Sequence, residues 1–83
     1  MMPELRATLR ALAWNVAELR RAQKLTIESA AWRAQIAARH WNKLEAGDGN
    51  PTLATLVKVA VALGADIRDL FAPVRGIVGR SDA

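Results

Sequence analysis

The sequence predicts an all-α fold of five helices, and three observations predict it. The 83 residues are 52% hydrophobic, rich in Ala and Leu, with little β-branched patterning. Apolar residues recur at spacings of three and four, the period of one helix face. Residues suited to starting and stopping helices punctuate the segments between them. A chain this short forms one domain and buries only a modest share of its surface, so dimerisation would help it. We place that domain at residues 1–72 and a partly disordered tail at 73–83.

The first helix starts near Pro3, a residue suited to a first helical turn. Leu5, Leu9, Leu12, Val16 and Leu19 follow as one unbroken stripe, which predicts an extended helix over residues 3–23. Its lower half, Val16 and Leu19 with Trp14, is expected to pack on the segment that follows. Its upper half exceeds what a compact bundle needs. Either it folds back on the C-terminal segment, or it meets a second copy. Leu5, Leu9, Leu12, Phe71 and Val74 are the candidates for such a dimer contact.

Thr26 is a suitable N-cap for the second helix, with Glu28 favourable in its positive first turn. The third helix is expected over 37–46, and Gly47 can end it because glycine tolerates a left-handed backbone. Asp48-Gly49-Asn50-Pro51 is a turn by composition. Thr52 can cap a fourth helix over 53–63, whose Leu53, Leu56, Val57, Ala60 and Leu63 form the expected core stripe. Asp66 can cap a short fifth helix over 67–72, with Ile67, Leu70 and Phe71 inward and Pro73 as its stop.

The break between the second and third helices rests on phase, since neither Gly nor Pro lies between Thr26 and Gly47. Ile27, Ala30, Ala31 and Ala34 share one face. At about 100° per residue, Ile36 would fall on the opposite side of a continuous helix. A turn near 34–37 lets it join the core with Ala30, Trp41 and Leu44. The alternative is one long helix with Trp32 and Ile36 on a second apolar face. The broken form is a helix-turn-helix whose third helix can enter the major groove of duplex DNA.

Charge agrees. Six cations (Arg20, Arg21, Lys24, Arg33, Arg39, Lys43) and two anions (Glu28, Glu45) lie between Arg20 and Glu45. The rest of the chain cancels, so the whole net charge of +4 sits on this segment, the footprint expected for a polyanion partner. There is no Cys, which excludes disulfides and thiolate chemistry and suits a reducing cytoplasm. The most apolar run, 53–65, is interrupted by Lys58 and too short to span a bilayer. Glu4, Arg6 and Arg10 interrupt the place where a secretory signal would have its apolar core. His40 is the lone histidine, so no metal site is expected. No catalytic constellation, cofactor motif or small-molecule site is expected either.

The opening ELRRAQKLT, Ala31, then LEAG, NPTL and LVKVAVALGADIRDLF stand in one register. With these the chain resembles the Cro/C1-type (XRE) family of helix-turn-helix regulators, without a gap from about Val16 to Phe71. The resemblance implies a five-helix, lambda-repressor-like bundle that binds DNA as a dimer. It implies an ion pair between Arg20 and Glu45 that positions the third helix. Small stand-alone members resemble phage Cro repressors, restriction–modification controller proteins and antitoxins. Departures are also plain. Gln35 stands where the family often has a turn glycine; a left-handed Gln costs on the order of 1 kcal/mol, which predicts another turn shape. Ile27 replaces a phosphate-contacting Gln, Ala37 cannot cap, Ala38 replaces a commonly polar reading position, and Ala30 replaces a larger core residue whose space Trp41 can fill.

The candidate base readers are Arg39, Lys43, Asn42, Ala38 and His40. Arg is the commonest reader of guanine, Lys43 lies four residues on along the same face, and Asn can pair with adenine. Thr26, Arg33, Asn50 and Lys24 are the candidate phosphate contacts. Trp14, Trp32 and Trp41 are expected to be packing residues, with Trp32 covering the first helix or meeting a partner. The function expected is a sequence-specific, dimeric, double-stranded DNA-binding transcriptional regulator. The alternative is a protein-interaction or antitoxin module on the same fold, with Ile27, Ala37 and Ala38 as signs of a decayed DNA surface.

Overall fold

The structure, a computed structural model, describes residues 2–74. Four α-helices, α1 (Pro3–Ala22), α2 (Ile27–Ala34), α3 (Ala38–Ala46) and α4 (Leu53–Ala62), are followed by a 3-10 helix, Ile67–Phe71. No strand occurs among the described residues. The expected fifth helix is therefore one tight 3-10 segment. Asp66 and Asp69 cap each other's backbone at its start, and Ala72 is already extended ahead of Pro73. Its backbone bonds run from Asp69 N–H to the Asp66 carbonyl and from Ala72 N–H to the Asp69 carbonyl, the i→i+3 pattern of a 3-10 helix. Of the expected tail, Val74 is buried against the body, and 75–83 lie outside the described residues.

The caps follow the side-chain chemistry. The Thr26 and Thr52 hydroxyls accept from the backbone N–H of Ser29 and Thr55, at 3.0 and 3.1 Å. Gly47 ends α3 with φ 71°. Ala37, at the start of α3, offers no side-chain acceptor. Ala37→Ser is accordingly expected to raise the unfolding free energy by about 1 kcal/mol, measured by urea denaturation. No gain would mean that the first amides of α3 already have other partners.

Gln35 corrects the expectation drawn from its missing glycine. It adopts the left-handed conformation, φ 58° and ψ 42°, so the turn keeps a glycine-like shape. The N–H of Gln35 donates to the Trp32 carbonyl and that of Ile36 to the Ala31 carbonyl, both at 3.1 Å. Ile36 packs against the core beyond the turn. Two capping hydrogen bonds and a buried contact offset the local cost.

α1 packs on α3 and on the 3-10 helix, and α2 packs on α3 and α4. Leu9, Leu12, Val16, Ala30, Ala31, Trp41, Leu44, Leu56, Val59, Leu63 and Leu70 share one core. Of the two readings of the long stripe, the described chain makes the fold-back. Leu9, Leu12 and Val74 lie inside the single chain, and Leu5 is half-buried. Of the five dimer candidates, only Phe71 is exposed. Asn15 secures the fold-back by donating to the carbonyls of Leu70 and Ala72, at 3.0 and 2.9 Å.

Two further expectations are corrected. Trp14 is exposed, because it lies about 200° around α1 from Leu12. Leu53 and Val57 are exposed, and Val59 takes the central place in α4. α4 reads LATLVKVAVA, apolar almost all round, so its spacing permits more than one inward face. Packing against α2 and the 3-10 helix selects Leu56, Val59, Ala60 and Leu63.

Candidate nucleic-acid interface

α3 is held from beneath. Trp41 is wholly buried and Leu44 nearly so. Glu45 lies at the same edge with 10% of its side chain exposed, opposite Arg20 of α1 at 13%. The Arg20 guanidinium donates through Nε to Glu45 Oε2 at 2.6 Å and through NH2 to Oε1 at 3.0 Å. Its NH1 donates to the Leu25 carbonyl ahead of α2 at 2.8 Å. Trp41 Nε1 adds a bond to Glu45 Oε2 at 2.6 Å. One carboxylate and one guanidinium thus join α1, the start of α2 and α3. Burial pushes the Glu45 carboxyl up, but the hydrogen bonds from Arg20 and Trp41 and the Arg20 charge outweigh it and hold it below the ordinary range. The same hydrogen bond raises Arg20 above its ordinary value.

With Trp41, Leu44 and Glu45 turned inward, helical geometry turns Arg39 and Lys43 outward. Both are exposed and lie one above the other, four residues apart. His40 and Asn42 are also exposed and flank them on opposite sides, about 160° apart around the axis. Ala38 is half-buried against the core.

The phosphate candidates divide. Asn50 joins His40 and Lys43 around an open groove of about 260 Å³ between α3 and the start of α4, which Asp48, Thr52 and Thr55 also line. Arg33 lies instead on a separate open groove with Leu25, Glu28 and Trp32. The Thr26 hydroxyl is occupied, accepting from Ser29 N and bonded to Ser29 Oγ at 3.0 Å. Lys24 is exposed in a left-handed turn with φ 58°.

Asn15 and the Trp41–Glu45 bond escaped the sequence reading. Asn15 carried a signal: it is a polar residue on the apolar face of α1, between the turns of Leu12 and Val16. Among the described residues no three His, Cys, Asp or Glu side chains form a group able to hold a metal. No described helix is long and apolar enough to cross a membrane.

The family profile described as a helix-turn-helix domain matches residues 4–73. The chain belongs to the helix-turn-helix domain family. Within it, the similar solved structures are regulators of the Cro/C1 (XRE) type. The restriction-modification controller protein C.AhdI from Aeromonas hydrophila shares 30% identity at a TM-score of 0.73, over 76% of this chain and 96% of its own. An HTH_3 family transcriptional regulator from Vibrio cholerae shares 25% identity at a TM-score of 0.76, over 81% of this chain; the match spans 38% of that longer protein. The clp gene regulator ClgR from C. glutamicum shares 26% identity at a TM-score of 0.70, over 83% of this chain and 86% of its own. No match was found among curated proteins. This helix-turn-helix family is one of DNA-binding transcriptional regulators, and the match covers the described helices but for Pro3, the first residue of α1.

Proposed function

We propose that the chain is a sequence-specific regulator that binds a near-palindromic operator in double-stranded DNA as a dimer, with α3 in the major groove. The observation that carries this reading is the two-sided build of α3. Its inner side is fixed by Trp41, Leu44 and the Arg20–Glu45 pair. Its outer side offers Arg39 and Lys43 with nothing covering them. A reading helix needs both properties, since base contacts are specific only when the backbone behind them is held. Arg39 and Lys43 read bases from the centre of the face, with Asn42, His40 and Ala38 at its margins. Lys24, Arg33 and Asn50 contact phosphate and set the register, while Thr26, its hydroxyl engaged by Ser29, fixes the start of α2.

A two-fold dimer needs a self-complementary patch. Leu53, Val57 and Val61, at i, i+4 and i+8 of α4, are the only exposed row of three large apolar side chains among the described residues. That row supports α4, rather than the upper part of α1, as the place where two copies meet. The competing reading, a protein-interaction module, is favoured by Trp32, which is 82% exposed on α2.

Substitutions separate reading from holding. Arg39→Ala is expected to reduce discrimination between a selected site and random duplex by about 1–3 kcal/mol. Arg33→Ala is expected to weaken both duplexes alike and to flatten the salt dependence by about one ion. Competition binding at two salt concentrations measures both. Unchanged discrimination in Arg39→Ala would remove that residue as a reader.

A further inference from the structure

We propose that Arg10 of α1 binds a phosphate of the DNA backbone just beyond the end of α3; this rests on the DNA-binding reading above. Arg39, Lys43 and Gly47 stand at successive turns, and the row has no side chain at its third place. The helix α1 passes that point. A methyl group on Gly47 would lie 3.9 Å from the Cγ of Arg10, 3.9 Å from the Cβ of Ala13 and 3.7 Å from the Leu9 carbonyl oxygen. The stem of Arg10 thus lies beside the place where α3 runs out, and its side chain is exposed. Arg6, one turn earlier on α1 and also exposed, adds to the positive field there.

Arg10 is uncommitted. Among the described residues its guanidinium has no carboxylate within 4 Å, whereas Arg20, Arg21 and Arg68 each have one. Glu4, in the first turn of α1, lies about 120° around the helix from Arg10. Glu18 is engaged by Arg21 and Glu45 by Arg20, so Asp48 is the one unpaired anion beside this end of α3 among the described residues. An α-helix with its side chains is about 10–12 Å across and the major groove about 12 Å wide. A helix lying there fills the groove, and what continues past its end meets the phosphates of the wall. The Arg10 guanidinium is placed to take one of them in a charge-assisted pair. Phosphate carries no sequence information, so the contact strengthens binding to every duplex alike. It also gives a use to the upper half of α1, which exceeds what the bundle needs. A cation at this place suits the negative end of the α3 dipole too, but that role acts on stability and not on the salt dependence of binding.

The experiment measures binding of the whole chain to a random-sequence duplex over a series of salt concentrations, beside urea unfolding of the same proteins. Arg10→Gln keeps a stem over Gly47 and removes the charge. It is expected to bind on the order of fivefold to tenfold more weakly near 0.1 M salt, with a log–log salt slope flatter by about 0.9 per bound copy, the value of one phosphate contact. Arg10→Lys is expected to restore the slope, since phosphate also accepts a point charge. Arg68→Ala removes the same charge from the 3-10 helix, where it is paired with Asp66, and is expected to leave affinity and slope as they are. Equal binding by wild type and Arg10→Gln, or a loss no greater than that of Arg68→Ala, would overturn the contact while leaving DNA binding intact. Lower unfolding stability with an unchanged salt slope would overturn it as well and leave Arg10 a partner of the α3 dipole. Absence of binding by the wild type would overturn the DNA-binding reading and this one with it.

Discussion

Arg20→Ala is expected to lower the unfolding free energy by about 3 kcal/mol, because it strands a carboxylate that is otherwise almost wholly enclosed. Glu45 keeps only the Trp41 N–H as partner, and the Leu25 carbonyl loses its guanidinium donor. A domain of this size has only about 5–15 kcal/mol in total, so the loss is large. The pair also predicts a pH signature. The folded Glu45 carboxyl is held below its ordinary value. Its contribution is therefore fully present above the ordinary carboxylate range and is lost as pH falls through the depressed folded value. In Arg20→Ala burial is opposed only by the Trp41 N–H and the Arg21 charge, so the carboxyl is no longer held as low. The gap in stability between wild type and variant should then narrow on acidification below about pH 4.5. Urea titrations at pH 7 and pH 3.5 measure both effects. A gap under 1 kcal/mol at pH 7, or one that widens in acid, would contradict the enclosed pair.

Trp41→Ala is expected to cost about 4 kcal/mol, the range for deleting a fully buried aromatic side chain. Trp41 is the largest side chain completely enclosed in the core. It lies directly beneath the face that carries Arg39 and Lys43, so the cavity would sit under α3 itself. The same change at Trp32 should alter stability by no more than about 0.5 kcal/mol, since that ring is exposed. Thermal or urea unfolding of the two variants side by side gives the contrast. Comparable losses at both positions would mean that Trp32 is covered in solution, as the protein-interaction reading requires.

Much of the fold was legible because its signals are local. Pro3, Thr26, Gly47, Thr52 and Asp66 each act at a helix end through their own chemistry, and all five stand at the ends of described helices. The break at Gln35 was legible from the phase of Ile36, although the turn's left-handed shape was not. What keeps it is a pair of backbone bonds and a buried contact, not the preference of Gln itself. The inward face of α4 was not legible, because LATLVKVAVA offers several apolar faces and neighbouring elements choose among them. The covering of Leu9 and Leu12 is open to two readings from sequence for the same reason. A stripe shows that a face is buried, not by what, and the answer depended on Asn15 gripping residues more than fifty positions away. In the candidate site, the outward set Arg39, His40, Asn42 and Lys43 follows from helical period once Trp41 and Leu44 are assigned inward. The groove that gathers His40, Lys43, Asp48 and Asn50 depends on how the α3–α4 turn folds back, which no spacing encodes.

In the proposed function α3 reads sequence in duplex DNA as one of a symmetric pair. Selection from a pool of random duplex DNA at moderate salt, followed by sequencing of the retained molecules, tests it most directly. A two-fold symmetric site with half-sites about one helical turn, roughly 10 base pairs, apart is the expected product of the selection. Retention without any enriched sequence, weakening steeply with salt, would contradict it and leave α3 a cationic surface rather than a reader.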